Sequence, residues 1–180
     1  MANKSSAQTL KSAQKYYDLD SYLFKCVTQL FVQRKTLSSF NFYTIITWKA
    51  NRAVSKVRKV LKRKKLSPSK LMSQVSKCRD DREKMKTLDE VKGIGVPIAS
   101  AILTVCYPER FTILDYRAWV TLCFFKKVKG KRVPTSIDGY FNTYLPACKQ
   151  WAQDLKVSLR DLDHAMWGWS KMKSIERWYK

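Results

Sequence analysis

Turn-forming residues are scarce in this chain, which has only five glycines and five prolines among 180 residues. Between them, most apolar residues recur every three or four positions, the spacing that places side chains on one face of an α-helix. We therefore expect an all-α fold, with a flexible N-terminal tail over residues 1–10 and a single compact multi-helix domain over residues 11–180. Hydrophobic residues make up 45% of the chain, enough for a sizeable core.

Local signals predict where several of the helices lie. A helix is expected over about residues 20–35, and two more surround the paired glycines near residue 94. Ser67 followed by Pro68 is typical of a helix N-cap and first turn, and Asp115 directly before "YRAWVTL" is a good N-cap. The apolar stripe of the first helix is predicted to consist of Tyr22, Leu23, Cys26, Leu30 and Phe31.

The charge of the chain is strongly one-sided, with 36 Lys and Arg against 14 Asp and Glu and a formal net charge of +22. Residues 1–79 carry half of the basic residues but only two of the acidic ones. A positive field of this size favours a polyanionic partner. No amphipathic anchor or lipidation motif accompanies the charge to indicate a membrane surface, so we expect a nucleic acid instead.

Residues 91–103, "VKGIGVPIASAIL", place two glycines one residue apart directly before an apolar run. Glycines at 93 and 95 favour a tight turn between two helices, and Gly95 leaves the start of the second helix open to a phosphate. The predicted DNA contacts in this segment are Lys92, Gly93, Gly95, Val96 and Ala99. The simpler alternative is a connector whose glycines only turn the chain.

The segment "LDEVKGIGVPIASAIL" resembles the helix-hairpin-helix motif. With the downstream Asp115, it resembles the helix-hairpin-helix DNA glycosylase superfamily, which includes endonuclease III and the bacterial 3-methyladenine glycosylases. The close similarity covers about residues 87–119. Over wider stretches, "TWKANRA", "ASAILTVCYPERFTILDYRAW" and "RDLDHAMWGWSK" resemble a small subgroup of uncharacterised proteins that contain this hairpin.

The resemblance implies a catalytic role for Asp115, because an aspartate after the hairpin lies at the mouth of the base pocket in that superfamily. A carboxylate there stabilises an oxocarbenium-like sugar and orients a water molecule for hydrolysis of the N-glycosidic bond. The ordinary alternative is that Asp115 only caps the helix that follows it. The two roles are compatible, since a capping carboxylate can still face a pocket.

The chain also departs from the superfamily. Members that combine glycosylase and lyase activities carry a lysine nucleophile just past the second glycine, where this chain has Pro97, so no lyase activity is expected through that position. The loop before Asp115 has Pro108 but no glycine. The five cysteines are widely spaced, with no Cys-x-x-Cys pair and no four-cysteine iron–sulfur signature. We therefore expect no metal and no other cofactor.

The segment from Lys49 to Lys65 contains nine basic residues and no acidic one. Its apolar residues follow helical spacing, which predicts a basic amphipathic helix that contacts phosphates. The residues singled out for DNA contact are Lys49, Arg52, Lys62, Arg63, Lys64 and Lys65. The alternatives are a merely solvated helix face or a nuclear localisation sequence.

Aromatic residues near these motifs are candidates to stack on a base extruded from DNA. The stacking candidates are Trp48, Trp119, Trp167 and Trp169, and the candidates for the base pocket are Trp48, Arg117, Trp119 and Trp167. Each tryptophan also has the alternative of a place in the core. His164 is the only histidine and is a candidate for proton transfer or an ordinary surface residue, whereas Asp161 and Asp163 are expected to cap a helix or pair with basic neighbours.

These observations together predict a monomeric, intracellular DNA-binding protein of the cytoplasm or nucleoid, or of the nucleus in a eukaryote. The favoured activity is that of a monofunctional DNA glycosylase, which flips a damaged or modified base and excises it. The first alternative is a DNA-binding or architectural module without catalysis. The charge alone also allows an RNA-binding or ribosome-associated protein, and no membrane partner is expected.

Overall fold

A computed structural model of the chain describes residues 6–130 and 132–177. These residues form twelve α-helices with short 3₁₀ and π turns and no β-strand, so the all-α prediction is confirmed for this part of the chain. The helices are α1 (Ser6–Ala13), α2 (Leu19–Tyr22), α3 (Thr28–Arg34), α4 (Ser39–Ala50), α5 (Val54–Arg63), α6 (Pro68–Lys77), α7 (Asp81–Asp89), α8 (Val96–Cys106), α9 (Tyr116–Phe124), α10 (Ile137–Gly139), α11 (Leu145–Leu155) and α12 (Leu159–Glu176). None of these described helices is long and apolar enough to cross a membrane.

The N-terminal region differs from a simple tail. Helix α1 begins at Ser6, inside the predicted tail of residues 1–10. Residues 1–5 lie outside the described part of the chain. A 3₁₀ turn over Gln14–Tyr16 then leads towards α2.

The predicted helix caps are confirmed. The Ser67 side chain accepts a hydrogen bond from the Lys70 N–H at 3.1 Å, and Pro68 occupies the first turn of α6. Asp115 caps α9 by accepting from the Arg117 N–H at 2.8 Å. These side chains satisfy N–H groups that have no partner within their own helix.

The predicted apolar stripe of residues 20–35 is correct only in part. Leu23 and Phe31 are buried, but Cys26 is exposed and Val27 is buried in its place. The reason is a π turn over Leu23–Val27, which joins α2 to α3. A π turn has more residues per turn than an α-helix, so the residue four positions after Leu23 follows it into the core better than the one three positions after.

Helix α8 is the centre of the core. Ten of its eleven residues are buried, and α3, α4 and α7 pack around it. The Thr28 hydroxyl on α3 donates to the Val105 carbonyl on α8 at 2.7 Å, which ties the two helices together. Helix α12 packs against α9 on another side of the molecule.

A buried extended segment, residues 111–114, joins the core to the start of α9. The Phe111 N–H donates to the Tyr107 carbonyl at 3.2 Å, and several of the other main-chain groups bond to side chains. The Tyr140 and Tyr144 hydroxyls, both from a π turn after α10, donate to the Thr112 and Ile113 carbonyls at 2.7 Å. The Leu114 N–H donates to the Ser100 hydroxyl on α8 at 2.9 Å. Since buried main-chain groups need such partners, these bonds fix where Asp115, the next residue, emerges.

Candidate functional site

A pocket of about 420 Å³ lies between the C-terminal end of α4, the start of α9 and the first half of α12. Its volume is within the range of about 300–1,000 Å³ that is typical of small-molecule sites. The residues that line it are Asp20, Trp48, Lys49, Ile113, Asp115, Arg160, Asp163, His164 and Trp167. We call it the Asp115 pocket.

Asp115 uses both of its carboxylate oxygens in this structure. Oδ1 accepts the capping hydrogen bond from the Arg117 N–H at 2.8 Å. Oδ2 lies 2.6 Å from the Lys49 ammonium, and the Asp115 side chain is 27% exposed. The carboxylate is therefore both a helix cap, as predicted, and part of the pocket wall.

Lys49 was predicted to contact DNA from the basic segment, but its side chain turns into the Asp115 pocket and is only 12% exposed. It lies one residue after Trp48 near the end of α4, before the 3₁₀ turn over Asn51–Ala53 that leads into α5. Its ammonium supplies the charge that compensates Asp115. The structure thus separates Lys49 from the other basic residues of the segment.

Two tryptophans form aromatic walls of the pocket. The Trp48 ring packs edge-on against Phe24, with centroids 6.0 Å apart. Trp167 on α12 is 42% exposed, and the Arg117 guanidinium lies 5.2 Å from its ring centroid. Arg117 therefore supports a wall of the pocket without being among its lining residues. The Lys171 ammonium also lies 5.2 Å from the Trp167 centroid, and the Arg160 guanidinium lies 5.6 Å from that of Trp48.

Trp119 does not line the pocket, although it was a candidate for it. Its side chain is only 3% exposed and packs against Tyr144, with centroids 6.5 Å apart. Trp119 lies with Ala118 and Leu122 on the buried face of α9, which packs into the core. Trp169 belongs to a separate aromatic group with Phe124 and Phe125.

The sequence predicted only one contact of the charged network on one side of the pocket, the pairing of Asp163 with a basic neighbour. Arg160 bonds to both Asp20 and Asp163, and its guanidinium lies 4.1 Å from the Phe24 ring centroid. His164 is exposed and lies 3.2 Å from Asp20, on the same side of the pocket. The spacing of Arg160, Asp163 and His164 on one helical face indicated that these three side chains could interact. Asp20 is 140 residues before Arg160 in the chain, so its part in the network had no local signal.

Burial changes the chemistry of Asp163. Its side chain is only 9% exposed. Desolvation raises the pKa of this carboxyl to about 6, against the opposing effects of Arg160, Lys49 and His164. The negative charge of Asp115 raises the pKa further. The pocket therefore holds three carboxyl groups, those of Asp20, Asp115 and Asp163, and Asp163 is the most buried of them. Carboxyl groups in unequal environments are typical of acid–base sites.

The two glycines of the turn between α7 and α8 differ in their backbone. Gly93 has a φ of +110°, and a Cβ there would lie 3.2 Å from Val57 Cγ2 on α5. Gly95 has an ordinary φ of −87° and is the exposed N-cap of α8, with no side-chain capping bond. Gly93 is therefore required by the turn, whereas Gly95 leaves the first turn of α8 uncovered.

The predicted DNA contacts around this turn divide into exposed and buried residues. Lys92 and Gly95 are exposed. Val96 and Ala99 are buried in the core, and the Ala99 N–H already donates to the Gly95 carbonyl at 2.9 Å. The Val96 and Ala99 side chains are thus unavailable to DNA, because the apolar face of α8 that they belong to is needed for packing.

The basic residues after Lys49 form an exposed surface beside the same turn. We call it the basic surface, and it consists of Arg52, Lys56, Arg58, Lys59, Lys62, Arg63, Lys64 and Lys65. The Lys64 ammonium donates to the Glu90 carbonyl at 3.2 Å, and Lys56 lies against Gly93. Within the described part of the chain, none of these eight residues forms an ion pair with a carboxylate. The basic surface and the exposed start of α8 are therefore neighbours.

Among the described residues, no three His, Cys, Asp or Glu side chains are arranged to hold a metal ion. Comparisons of the chain with protein-family models, with curated protein sequences and with solved structures gave no match. What the site does must therefore be inferred from its own geometry and charge.

Proposed function

We propose that this protein binds duplex DNA through its phosphate backbone and excises a damaged or modified base as a monofunctional DNA glycosylase. The observation that carries the proposal is the position of Asp115 at a pocket with tryptophan walls, on a chain whose basic surface forms no ion pair with an acidic residue in the described ranges. Phosphate contacts supply affinity without sequence preference. A base rotated out of the duplex has the planar shape that aromatic walls stack on.

The proposed reaction is hydrolysis of the N-glycosidic bond. The bond between the sugar C1′ and the base nitrogen breaks, and its electron pair leaves with the base. The positive charge that develops on the sugar is stabilised by the Asp115 carboxylate, which also accepts a proton from the attacking water. Entry of the sugar beside Asp115 requires the Lys49 ammonium to move away from Oδ2, since the two atoms are in contact in the free protein.

The alternative is a DNA-binding module without catalysis. It is favoured by one specific observation, that both oxygens of Asp115 are already engaged, by the Arg117 N–H and by Lys49. On this alternative the ion pair between Lys49 and Asp115 only holds the end of α4 against the start of α9. The basic surface would serve the same purpose in both cases.

Incubation with a panel of duplexes that carry damaged or modified bases separates the two functions. Treatment with alkali afterwards breaks the strand wherever a base has been removed. The proposal predicts strand breaks at one class of modified base after alkali, and few without it, because Pro97 stands where a lyase lysine is expected. Binding of the duplexes without base release from any member of a broad panel would support the module instead.

A further inference from the structure

The proposed function gives no role to two carboxyl groups of the Asp115 pocket, Asp20 and Asp163, and Asp20 is already paired with Arg160 and His164. Asp163 lies on α12, lines the pocket and is nearly buried. Hydrolysis of a glycosidic bond develops charge on two groups, the sugar, which becomes positive, and the base, which leaves with an electron pair. Asp115 acts on the first of these, which directs attention to Asp163 for the second.

The Asp163 carboxyl is held in place by its neighbours. Arg160 bonds to it and to Asp20 at the same time, and the Arg160 guanidinium lies 4.1 Å from the Phe24 ring centroid and 5.6 Å from that of Trp48. A guanidinium fixed by two carboxylates and two aromatic rings leaves its partner little freedom. Asp163 therefore keeps a defined position beside the aromatic wall that Trp48 provides.

The groups around Asp163 allow it to hold a proton near neutral pH. Arg160, Lys49 and His164 favour its charged form, and Asp115 opposes it. Tyr140, Tyr144 and Cys148 also interact with it, but burial raises the pKa values of all three, so they remain neutral. Desolvation outweighs the cations and raises the Asp163 pKa to about 6. An acid with a pKa near the working pH is well matched to general acid catalysis.

We propose that Asp163 is the general acid that protonates the departing base, while Asp115 assists the sugar. This inference rests on the proposed glycosylase function. As the bond between C1′ and the base nitrogen breaks, the electron pair goes to the base, and the Asp163 proton passes to a ring nitrogen of the base. Water adds to C1′ and gives its proton to Asp115. The site is restored when a proton returns from Asp115 to Asp163 through solvent.

A general acid at Asp163 affects neutral and cationic bases differently. A neutral base, such as hypoxanthine, is a poor leaving group and gains from protonation, whereas 7-methylguanine already carries a positive charge and leaves as a neutral molecule. Only release of a neutral base should therefore depend on Asp163. Its rate should also fall about tenfold for each pH unit above 6, as the protonated fraction of Asp163 declines.

The test measures single-turnover release of neutral and of cationic bases from duplexes between pH 5.5 and 8.5, in the wild type and in Asp163→Asn. We expect Asp163→Asn to slow release of the neutral base by about 10²-fold or more and to flatten its pH profile. Release of 7-methylguanine should change only a few-fold. Asp161→Asn, an exposed neighbour on the same helix, is the matched control and should change neither rate.

Each other result overturns the inference. Equal slowing of both bases by Asp163→Asn, with an intact circular dichroism spectrum, indicates that Asp163 only supports the structure. Unchanged rates, or a wild type that releases only cationic bases, exclude a general acid at this position while the glycosylase function stands. Absence of any base release by the wild type removes the proposed function itself, and the role of Asp163 with it.

Discussion

At the scale of the residue, Asp163 shows how a buried carboxyl group opposes stability. Its carboxyl is buried and carries a pKa raised to about 6, chiefly by desolvation. The folded protein thus binds this proton more tightly than the unfolded chain, in which the group titrates near pH 4. The stability that the protonated form provides is present below about pH 4 and is lost as the pH rises through 6.

Asp163→Asn removes this titration, because an amide of the same shape carries no charge at any of these pH values. We expect the free energy of unfolding of the variant, relative to the wild type, to increase by up to about 3 kcal/mol between pH 4 and pH 7. Urea unfolding at several pH values measures the difference. Asp161→Asn is exposed and serves as the control. A constant difference between the Asp163→Asn variant and the wild type would mean that Asp163 has an ordinary pKa.

At the scale of the element, the turn between α7 and α8 separates a structural glycine from an exposed one. Gly93 has a positive φ and faces Val57 and Lys56 closely, whereas a Cβ at Gly95 would meet only Pro97 Cδ, at 3.8 Å. Gly93→Ala should therefore lower the free energy of unfolding by about 1–3 kcal/mol. Gly95→Ala should leave it nearly unchanged, and thermal unfolding of the two variants tests the contrast.

Gly95→Arg tests whether the exposed start of α8 binds DNA. The arginine side chain would project from the uncovered start of α8, where the main chain is proposed to approach a phosphate. We expect a normal helical circular dichroism spectrum and a strongly reduced affinity for duplex DNA, measured by fluorescence anisotropy. A folded Gly95→Arg variant that binds DNA as well as the wild type would reduce this turn to a connector.

The helices and their caps could be predicted because their causes are local. Ser67 and Asp115 accept hydrogen bonds from N–H groups within three residues. The buried residues of α8 lie within one mostly apolar segment of the sequence. The π turn at Leu23–Val27 was not predictable in this way, since nothing in its composition distinguishes it from an α-helical turn. It moved the buried position from Cys26 to Val27.

The candidate site was predictable only where a motif marked it. Asp115 and Trp48 were singled out from short segments, and both line the pocket. Tyr140 and Tyr144, which hold the segment before Asp115, come from a turn about 30 residues later. Asp20, the partner of Arg160, is 140 residues away from it in the chain, so no local pattern indicates this contact. Such contacts are set by how helices pack, and a single sequence contains no direct record of that packing.

At the scale of the whole molecule, the formal charge of +22 is unevenly distributed, because residues 1–79 hold half of the basic residues and only two of the acidic ones. Changing Lys62, Arg63, Lys64 and Lys65 together to Gln should weaken binding to all duplexes alike. It should also reduce the slope of log affinity against log salt by up to about four, because fewer counterions are released. Anisotropy titrations between about 50 and 200 mM salt measure both effects.

A second variant separates the basic surface from net charge alone. Four other basic residues are each ion-paired with a nearby acid, namely Arg82, Arg110, Lys127 and Lys173. Their replacement by Gln removes the same total charge from the molecule. We expect it to reduce affinity and the salt slope less than the change at residues 62–65. Equal losses would show that DNA responds to total charge and not to this surface.

The central claim is that the Asp115 carboxylate removes a base from DNA, and Asp115→Asn tests it most directly. The Asn side chain still accepts the capping bond from the Arg117 N–H, so the variant removes the charge and keeps the cap. The measurement is single-turnover base release beside DNA affinity, on whichever duplex of the panel the wild type removes a base from. We predict unchanged affinity and a rate lower by about 10²–10⁴-fold. Base release at the wild-type rate by a folded Asp115→Asn variant would contradict the account.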